Sequence, residues 1–135
     1  MKNLNFNYII ADIVSNLNIG ILRKLRFIKI VKTNIAIRLL TILYKQGILR
    51  TFVVKQDHIL VYFKYYRGQP LCRKLQLISK PSKRAYYRLG RLTKYYNNNN
   101  FSGFLIVSSQ QGLATTDYCL LNGHVGGELL IKVEV

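Results

Sequence analysis

The sequence is poor in acidic residues, and this shortage narrows the range of partners. Five Asp and Glu stand against 21 Lys and Arg, which gives a formal net charge of +16. Such a charge repels itself in a compact fold and is best tolerated beside a polyanion, so nucleic acid or an anionic membrane is expected. At 135 residues, of which 50% are hydrophobic, the chain is long enough to fold around a core.

Cysteine and long apolar runs are also scarce. Cys72 and Cys119 lie far apart and form no Cys-x-x-Cys pattern. A small chain without a disulfide framework is typical of a reducing compartment, so both thiols are expected to lie in the core. The longest apolar stretch, 35–49, is interrupted by Arg38 and Lys45 and is shorter than the roughly 18 to 20 residues that cross a bilayer. The sequence therefore predicts no membrane span.

The chain lacks a convergent set of acids, bases, nucleophiles or metal ligands. Cys119 and His124 could form a thiolate pair, but one cysteine near one histidine is common by chance. The segment from Gly123 to Glu128 superficially resembles a phosphate-binding turn, yet no Lys-Ser or Lys-Thr follows, so a plain tight turn is preferred. His58 is expected to have a structural role. We predict that the protein is not an enzyme and has no cofactor, metal or small-molecule substrate.

Apolar periodicity predicts two helices in the first half. Residues between Ile10 and Leu17 recur at helical spacing, which predicts a helix over about Asn5 to Asn18 that Gly20 would cap. A basic strand is expected within Arg23 to Lys32. Thr33 or Asn34 can cap the second helix, and Gly47 is expected to end it. The apolar stripe of this helix consists of Ala36, Leu39, Leu40 and Leu43.

Strand patterns and turn residues divide the chain into two predicted halves. Runs 48–54 and 59–66 are typical of a β-hairpin, and the turn from Arg67 to Pro70 favours a boundary after Gly68. The predicted domains are 1–68 and 69–135, in an α+β fold. The second half is expected to be mostly β with a short helix: strands at 71–79, 104–107 and 128–135, a polar turn at 108–112 and a helix at 117–121.

Two stretches of opposite chemistry stand out in the second half. From Lys80 to Tyr96, cations are interleaved with tyrosines, a combination that can neutralise phosphates and stack on bases or sugars. A solvated basic loop is the alternative interpretation. Between Lys94 and Lys132 there is no Lys or Arg, so this segment could read bases and riboses only through hydroxyls, amides and backbone groups.

Five segments, in the same order along the chain, resemble the bacterial and organellar family of small-subunit ribosomal protein eight. In that family a strand runs into Ser-Thr-Ser-Lys-Gly, a Thr-Asp pair starts a helix, and Gly-Gly-Glu opens the last strand. The matching segments here are Ser108 to Gly112, Thr116-Asp117 and Gly126 to Glu128. Ser79 to Tyr86 is similar to the family's Ser-Arg-Pro-Gly-x-Arg-x-Tyr, and Ile10-Ala11-Asp12 to its Ile-Ala-Asp.

The resemblance implies two α/β subdomains, the first with two helices on a three-stranded sheet, and binding to the central domain of small-subunit rRNA. It implies that the serine-rich turn enters an RNA minor groove beside the Pro-containing loop and its Tyr. Three residues depart from the family: Gln111 replaces Lys, Ser109 replaces Thr, and Ser82 replaces the glycine after Pro81. The expected RNA-binding residues are Lys24, Lys29, Lys32, Lys80, Ser82, Lys83, Arg84, Tyr86, Arg88, Ser108, Ser109, Gln110, Gln111, Gly112 and Glu128.

The functional hypothesis is a structural constituent of the small ribosomal subunit that supports rRNA folding and assembly beside neighbouring small-subunit proteins. Heavy use of Ile, Asn, Lys and Tyr, including the run Asn97 to Asn100, is typical of an AT-rich organelle genome and favours the mitochondrial matrix. A plastid or the bacterial cytoplasm is the alternative location. The alternative function is a peripheral basic protein of an anionic membrane.

Overall fold

The computed structural model describes residues 6–78, 86–88, 103–109, 112–115 and 126–135. These residues form two helices and ten strands. The elements are α1 (Phe6–Leu22), β1 (Phe27–Val31), α2 (Asn34–Lys45), β2 (Leu49–Val54), β3 (His58–Phe63), β4 (Tyr65–Tyr66), β5 (Gln69–Pro70), β6 (Lys74–Leu77), β7 (Tyr86–Arg88), β8 (Gly103–Ser109), β9 (Gly112–Thr115) and β10 (Gly126–Glu134).

Two compact units divide the chain. The first comprises Met1–Leu75 together with Val135, and the second comprises Gln76–Glu134. The domain boundary predicted from the sequence, after Gly68, stays a prediction.

The first unit contains a three-stranded antiparallel sheet in the order β1-β3-β2. Helix α1 packs on β1, α2 packs on β2, and the helices contact each other. Along the central strand, the buried residues Ile59, Val61 and Phe63 alternate with half-buried ones, so one face of the sheet lies on the core. The predicted α+β architecture, with two helices on a three-stranded sheet, is confirmed.

Helix α1 continues through Gly20 to Leu22, so the prediction that Gly20 caps this helix is wrong. A Cβ at residue 20 would lie 2.6 Å from ring carbons of Phe63 and 2.9 Å from Ile28 Cγ2. Glycine is needed here because it lets the helix approach the sheet closely. The buried stripe of α1 that faces the core consists of Ile10, Ile13, Val14, Leu17 and Ile21.

Helix α2 agrees with its predicted cap and stripe. The Thr33 hydroxyl accepts a hydrogen bond of 3.1 Å from the Ala36 amide, and Thr33 is extended, as an N-cap residue should be. Gly47 follows the helix with a φ of +81°, a left-handed conformation that favours glycine. The buried residues of α2 are those of the predicted stripe: Ala36, Leu39, Leu40 and Leu43.

Two hairpins follow α2. In the first, β2 and β3 flank the polar loop that begins at Lys55, whose amide donates 2.8 Å to the carbonyl of His58. The predicted run 59–66 does not form one strand, because β3 ends at Phe63 and β4 begins at Tyr65. In the second hairpin β4 pairs with β5 across Arg67 and Gly68.

The carboxy-terminal sheet is organised around β10. Its strand order is β6-β10-β8-β9, and β7 also pairs with β10. The register of β10 against β8 shifts between Leu129 and Ile131, so the successive residues Leu130 and Ile131 are both buried. Gly103 starts β8 with a φ of +150°, and a Cβ there would collide with the Val133 carbonyl.

Two expectations for the second half, and one strand that the sequence did not predict, compare with the structure as follows. Gly126 and Gly127, expected in a tight turn, lie in β10 and pair with β7. Strand β9 was not predicted, because four residues give little periodicity. The predicted helix at 117–121 lies outside the described residues.

Asn18, on α1, holds the backbone of Leu75 at both of its hydrogen-bonding groups. The Asn18 Nδ2 donates 2.8 Å to the Leu75 carbonyl, and its Oδ1 accepts 3.0 Å from the Leu75 amide. The side-chain amide of Asn18, which has both a donor and an acceptor, thus pairs with the Leu75 backbone as a neighbouring strand would. This pair fastens the end of the first unit to its first helix.

Replacing Asn18 should therefore destabilise the protein. We expect Asn18→Ala to lower the free energy of unfolding by about 1–3 kcal/mol, because two half-buried backbone groups lose their partners. Asn18→Asp should also destabilise at neutral pH, because a carboxylate cannot donate to the Leu75 carbonyl. Urea unfolding monitored by circular dichroism measures both, with the exposed Asn34→Ala as the matched control, expected within about 0.5 kcal/mol of the parent. Equal midpoints for Asn18→Ala and Asn34→Ala would contradict this role.

Candidate nucleic-acid interface

Three of the residues predicted to bind RNA lie in one row of the carboxy-terminal sheet. Glu128 of β10 is directly opposite Tyr86 of β7 and also opposite Ser108 of β8. Neighbouring strands are about 4.8 Å apart, so the row spans roughly 10 Å of backbone. Strand pairing therefore brings the basic aromatic segment and the neutral segment together at one end of β10.

The hairpin between β8 and β9 extends from this row. Ser109 pairs with Gly112, and Ser108 pairs with Leu113. Gly112 has a φ of +104°, a backbone conformation that non-glycine residues rarely adopt. The backbone conformation therefore explains why glycine occupies position 112, directly after Gln110-Gln111.

Polarity along β8 changes abruptly towards this hairpin. The four residues from Phe104 to Val107 are buried, whereas Ser108 is half-buried. Lys132 lies near the other end of β10, with its Nζ 3.6 Å from Glu134 Oε1. Lys132 is about 13 Å along β10 from Glu128, so this lysine lies away from the row.

The structure places only one further residue of the two predicted RNA-binding segments close to the row. Arg88 occupies β7 opposite Gly126, next to the row. The others lie outside the described residues, and their role stays a prediction: Lys80, Ser82, Lys83, Arg84, Gln110 and Gln111.

The three predicted amino-terminal cations are all exposed but do not converge. Lys24 lies in the turn after α1 with a φ of +54°. Lys29 lies on β1, on the sheet face away from the core, and Lys32 follows the opposite end of that strand. Because β1 is about 16 Å long, Lys24 and Lys32 mark opposite ends of the sheet.

Charge in the first unit is confined to the surface. The exposed cations far outnumber the acids of residues 6–78, which are Asp12 and Asp57. The exposed cations of these residues are Arg23, Lys24, Arg26, Lys29, Lys32, Arg38, Lys45, Arg50, Lys55, Lys64, Arg67, Arg73 and Lys74.

Sequence reasoning passed over exposed cations that lie in the same turn as Lys24 and in the β4–β5 hairpin. Arg23 and Arg26 share its turn, and Arg67 lies at the tip of the β4–β5 hairpin. The signal that could have found them is the pair Tyr66-Arg67, an exposed aromatic beside a cation in a turn.

His58 pairs with its neighbour. Its Nδ1 lies 2.7 Å from Asp57 Oδ1, and this hydrogen bond holds the pKa of Asp57 below its usual value. The Asp57 side chain is 87% exposed, so the pair is a surface contact of small energetic weight. Among the described residues, no three His, Cys, Asp or Glu side chains form a group that could hold a metal ion.

Comparison with known proteins decides the family. The family model described as "Ribosomal protein S8" matches residues 8–133. The chain belongs to this family. It is 30% identical over 132 residues to small ribosomal subunit protein uS8 of Neorickettsia sennetsu, covering 94% of this chain and 98% of that protein.

Mitochondrial and other bacterial relatives are similar over the same length. The chain is 29% identical over 126 residues to small ribosomal subunit protein uS8m of Acanthamoeba castellanii, covering 93% of this chain and 98% of that protein. It is 24% identical over 135 residues to uS8 of Rhodospirillum centenum, covering 96% and 99%. The predicted family and a non-catalytic ribosomal role in translation are thereby confirmed. None of the helices in the described ranges is long and apolar enough to cross a membrane.

The conformation of Gly112 gives a prediction for the hairpin. Gly112→Ala should lower the free energy of unfolding by about 1–3 kcal/mol, because alanine is strained at this φ although no neighbouring atom obstructs its Cβ. Thermal unfolding and amide hydrogen exchange at Leu113 measure the change. An unaltered midpoint and unaltered exchange would contradict the assigned backbone conformation.

Proposed function

We propose that this member of the S8 family binds the central domain of small-subunit rRNA through two surfaces of different chemistry and supports its folding. The single observation that supports this best is the row Tyr86–Glu128–Ser108, which joins the basic aromatic segment to the neutral hairpin. Proteins that recognise structured RNA combine phosphate contacts, which set register, with contacts to bases and 2′-hydroxyls, which give fit.

The cationic surface supplies attraction. The segment from Lys80 to Arg88 carries four cations and no acid. Each cation that neutralises a phosphate releases condensed counterions, so affinity from this surface depends strongly on salt. The tyrosines of the same segment, Tyr86 among them, offer rings to bases and sugars.

The hairpin at Ser108 to Gly112 supplies fit. Ser108, Ser109, Gln110 and Gln111 offer hydroxyl and amide groups but no charge, and Gly112 keeps the backbone accessible. Affinity from such contacts depends weakly on salt. Gln111 stands where the family has Lys, so a phosphate contact from the turn is replaced by a neutral one, and we expect a compensating change in the RNA that faces it.

The compartment proposed is the mitochondrial matrix, with neighbouring small-subunit proteins as further partners. Two observations support it: the similarity to the mitochondrial uS8m and the AT-rich type of composition. The alternative compartment is the bacterial cytoplasm, because bacterial relatives are equally similar to this chain.

Sedimentation of cell extracts tests this function. The chain should comigrate with small ribosomal subunits under conditions that separate the two subunits, and RNase should release it. Purified protein should also bind a transcript of the central rRNA domain in preference to the other domains. Binding to anionic liposomes that survives RNase, without preference for this RNA, would contradict the proposal.

The two surfaces should differ in how salt affects them. Arg84→Ala should weaken binding to the central-domain transcript and lower the slope of log affinity against log salt by about 0.7–0.9, since one phosphate contact is lost. Ser109→Ala should weaken binding by roughly 2- to 10-fold, the value of one neutral hydrogen bond, with the parent slope. Lys55→Ala, at an exposed cation on the β2–β3 loop, is the matched control for charge. Identical slopes for the parent and the Arg84 and Ser109 variants would refute the division.

A further inference from the structure

The sheet of the first unit has an outer face, which points away from the two helices. The Phe52 ring on β2 lies edge-on to Tyr44 of α2, with the ring centroids 6.3 Å apart, so Phe52 is on the inner face and its neighbour Val53 is on the outer one. Strand alternation and register place these residues on the outer face: Phe27, Lys29, Val31, Thr51, Val53, His58, Leu60 and Tyr62.

This outer face is apolar, whereas the solvated face of an antiparallel sheet is usually polar. Val31 is 68% exposed, Phe27 is 46% exposed and Val53 is 38% exposed. The rings of Phe27 and Tyr62 are 5.5 Å apart across β1 and β3. We name this surface the outer-face patch, and it consists of Phe27, Lys29, Val31, Val53, Leu60 and Tyr62. Contiguous exposed apolar groups of this kind mark interaction sites.

The charge on the patch is a single ammonium group. Lys29 is exposed and lies beside Leu60 in the central row of the sheet. Of the two acids in residues 6–78, Asp57 is hydrogen-bonded to His58, and neither acid forms an ion pair with Lys29. Exposed Lys55 follows the end of β2 and exposed Lys64 follows the end of β3, so cations also border the patch. The complementary surface is therefore apolar at its centre and acidic around it.

This composition favours a protein over a nucleic acid as the occupant. The aliphatic side chains of Val31, Val53 and Leu60 offer neither hydrogen bonds to bases nor a ring on which bases stack. One lysine among the outward-facing strand residues is also a poor match for a backbone that carries a charge on every phosphate. A second copy of the chain is disfavoured, because two molecules of net charge +16 repel each other.

The size of the patch narrows the kind of protein. The strands are about 16 Å long and the two edge strands are about 10 Å apart, which gives far less area than the roughly 800 Å² per partner of a stable interface. A contact this small holds when other contacts already keep both proteins in one particle, because the effective concentration is then high.

We infer that the outer-face patch docks a neighbouring protein of the small ribosomal subunit, through an apolar surface with a carboxylate that pairs with Lys29. The inference rests on the proposed function, because the shared rRNA holds both proteins close together. It deepens that function by naming the surface and the chemistry of the partner. It also assigns Lys29, which the sequence predicted to bind RNA, to a protein carboxylate.

Site-specific photocrosslinking in purified small subunits tests the docking face. A benzophenone amino acid replaces Val53 in one variant and Val54 in the other. These neighbours on β2 are 38% and 41% exposed but point to opposite faces, so position 54 is the matched control. Position 53 should crosslink to peptides of a second protein, and mass spectrometry should identify them, whereas position 54 should give little of this product.

A zero-length crosslinker tests the role of Lys29. A carbodiimide joins an amine to a carboxylate that touches it, so Lys29 should become linked to an Asp or Glu of the same second protein. Lys29→Arg keeps the charge but lacks the reactive amine, and it should lose this link while position 53 still photocrosslinks. Lys29→Glu should lower the yield of the position 53 product about tenfold or more, because two carboxylates then face each other.

Two variants of equal charge test whether the contact matters for assembly. Val53→Glu should enter small subunits about tenfold less well than the parent chain when both are co-expressed, whereas Val54→Glu should compete nearly as well as the parent. Both should bind the central-domain transcript with the affinity of the parent, because neither position belongs to the proposed RNA-binding surfaces. Circular dichroism checks that each variant is folded.

The outcomes separate failure of this inference from failure of the proposed function. A parent chain that does not comigrate with small subunits would overturn both. If the parent comigrates, crosslinks from position 53 to rRNA or to a second copy of the chain would overturn the docking of a protein partner alone. Equal protein crosslinking from positions 53 and 54, or none from position 53, would do the same.

Discussion

The pairing of β10 with strands on both of its edges is the constraint on which the candidate interface depends. Near its start, β10 is paired with β7 on one edge and β8 on the other, and further along it also pairs with β6. Because β7 belongs to the basic aromatic segment and β8 leads to the neutral hairpin, one strand fixes the spacing between the two surfaces proposed to bind RNA. The shift between Leu129 and Ile131 buries both Leu130 and Ile131, and this anchors the strand in the core.

The distribution of charge follows from the cost of burying it. Both units keep aliphatic side chains inside, and the cations of the first unit are all exposed among residues 6–78. An unpaired ion in the core would be far too costly, so a chain of +16 must display its charge. In the sheet of the first unit, Lys24 and Lys64 lie beyond one end of the strands, and Lys32 and Lys55 lie beyond the other.

Local signals explain which elements could be predicted from the sequence. Helix α2 carries its own cap at Thr33, its own stripe and its own end at Gly47, so no distant residue was needed to find it. Gly20 was predicted to end α1 because glycine is common at helix ends, but glycine is equally required where a helix packs closely against a ring. The ring of Phe63 lies against Gly20, and this contact could not be seen in the sequence. The Tyr86–Glu128–Ser108 row could not be derived from spacing, because its members are separated in sequence and meet only through strand register. The family motifs identified the segments, but the register brought them together.

The central claim is that the basic aromatic segment and the neutral hairpin face the same piece of rRNA. Protein–RNA crosslinking of purified small subunits, followed by sequencing of the attached peptides and nucleotides, measures this directly. The account predicts crosslinks from peptides containing Lys80 to Arg88 and from peptides containing Ser108 to Gly112, both to one segment of the central domain. Crosslinks from these two peptides to separate rRNA domains, or from neither peptide, would contradict it.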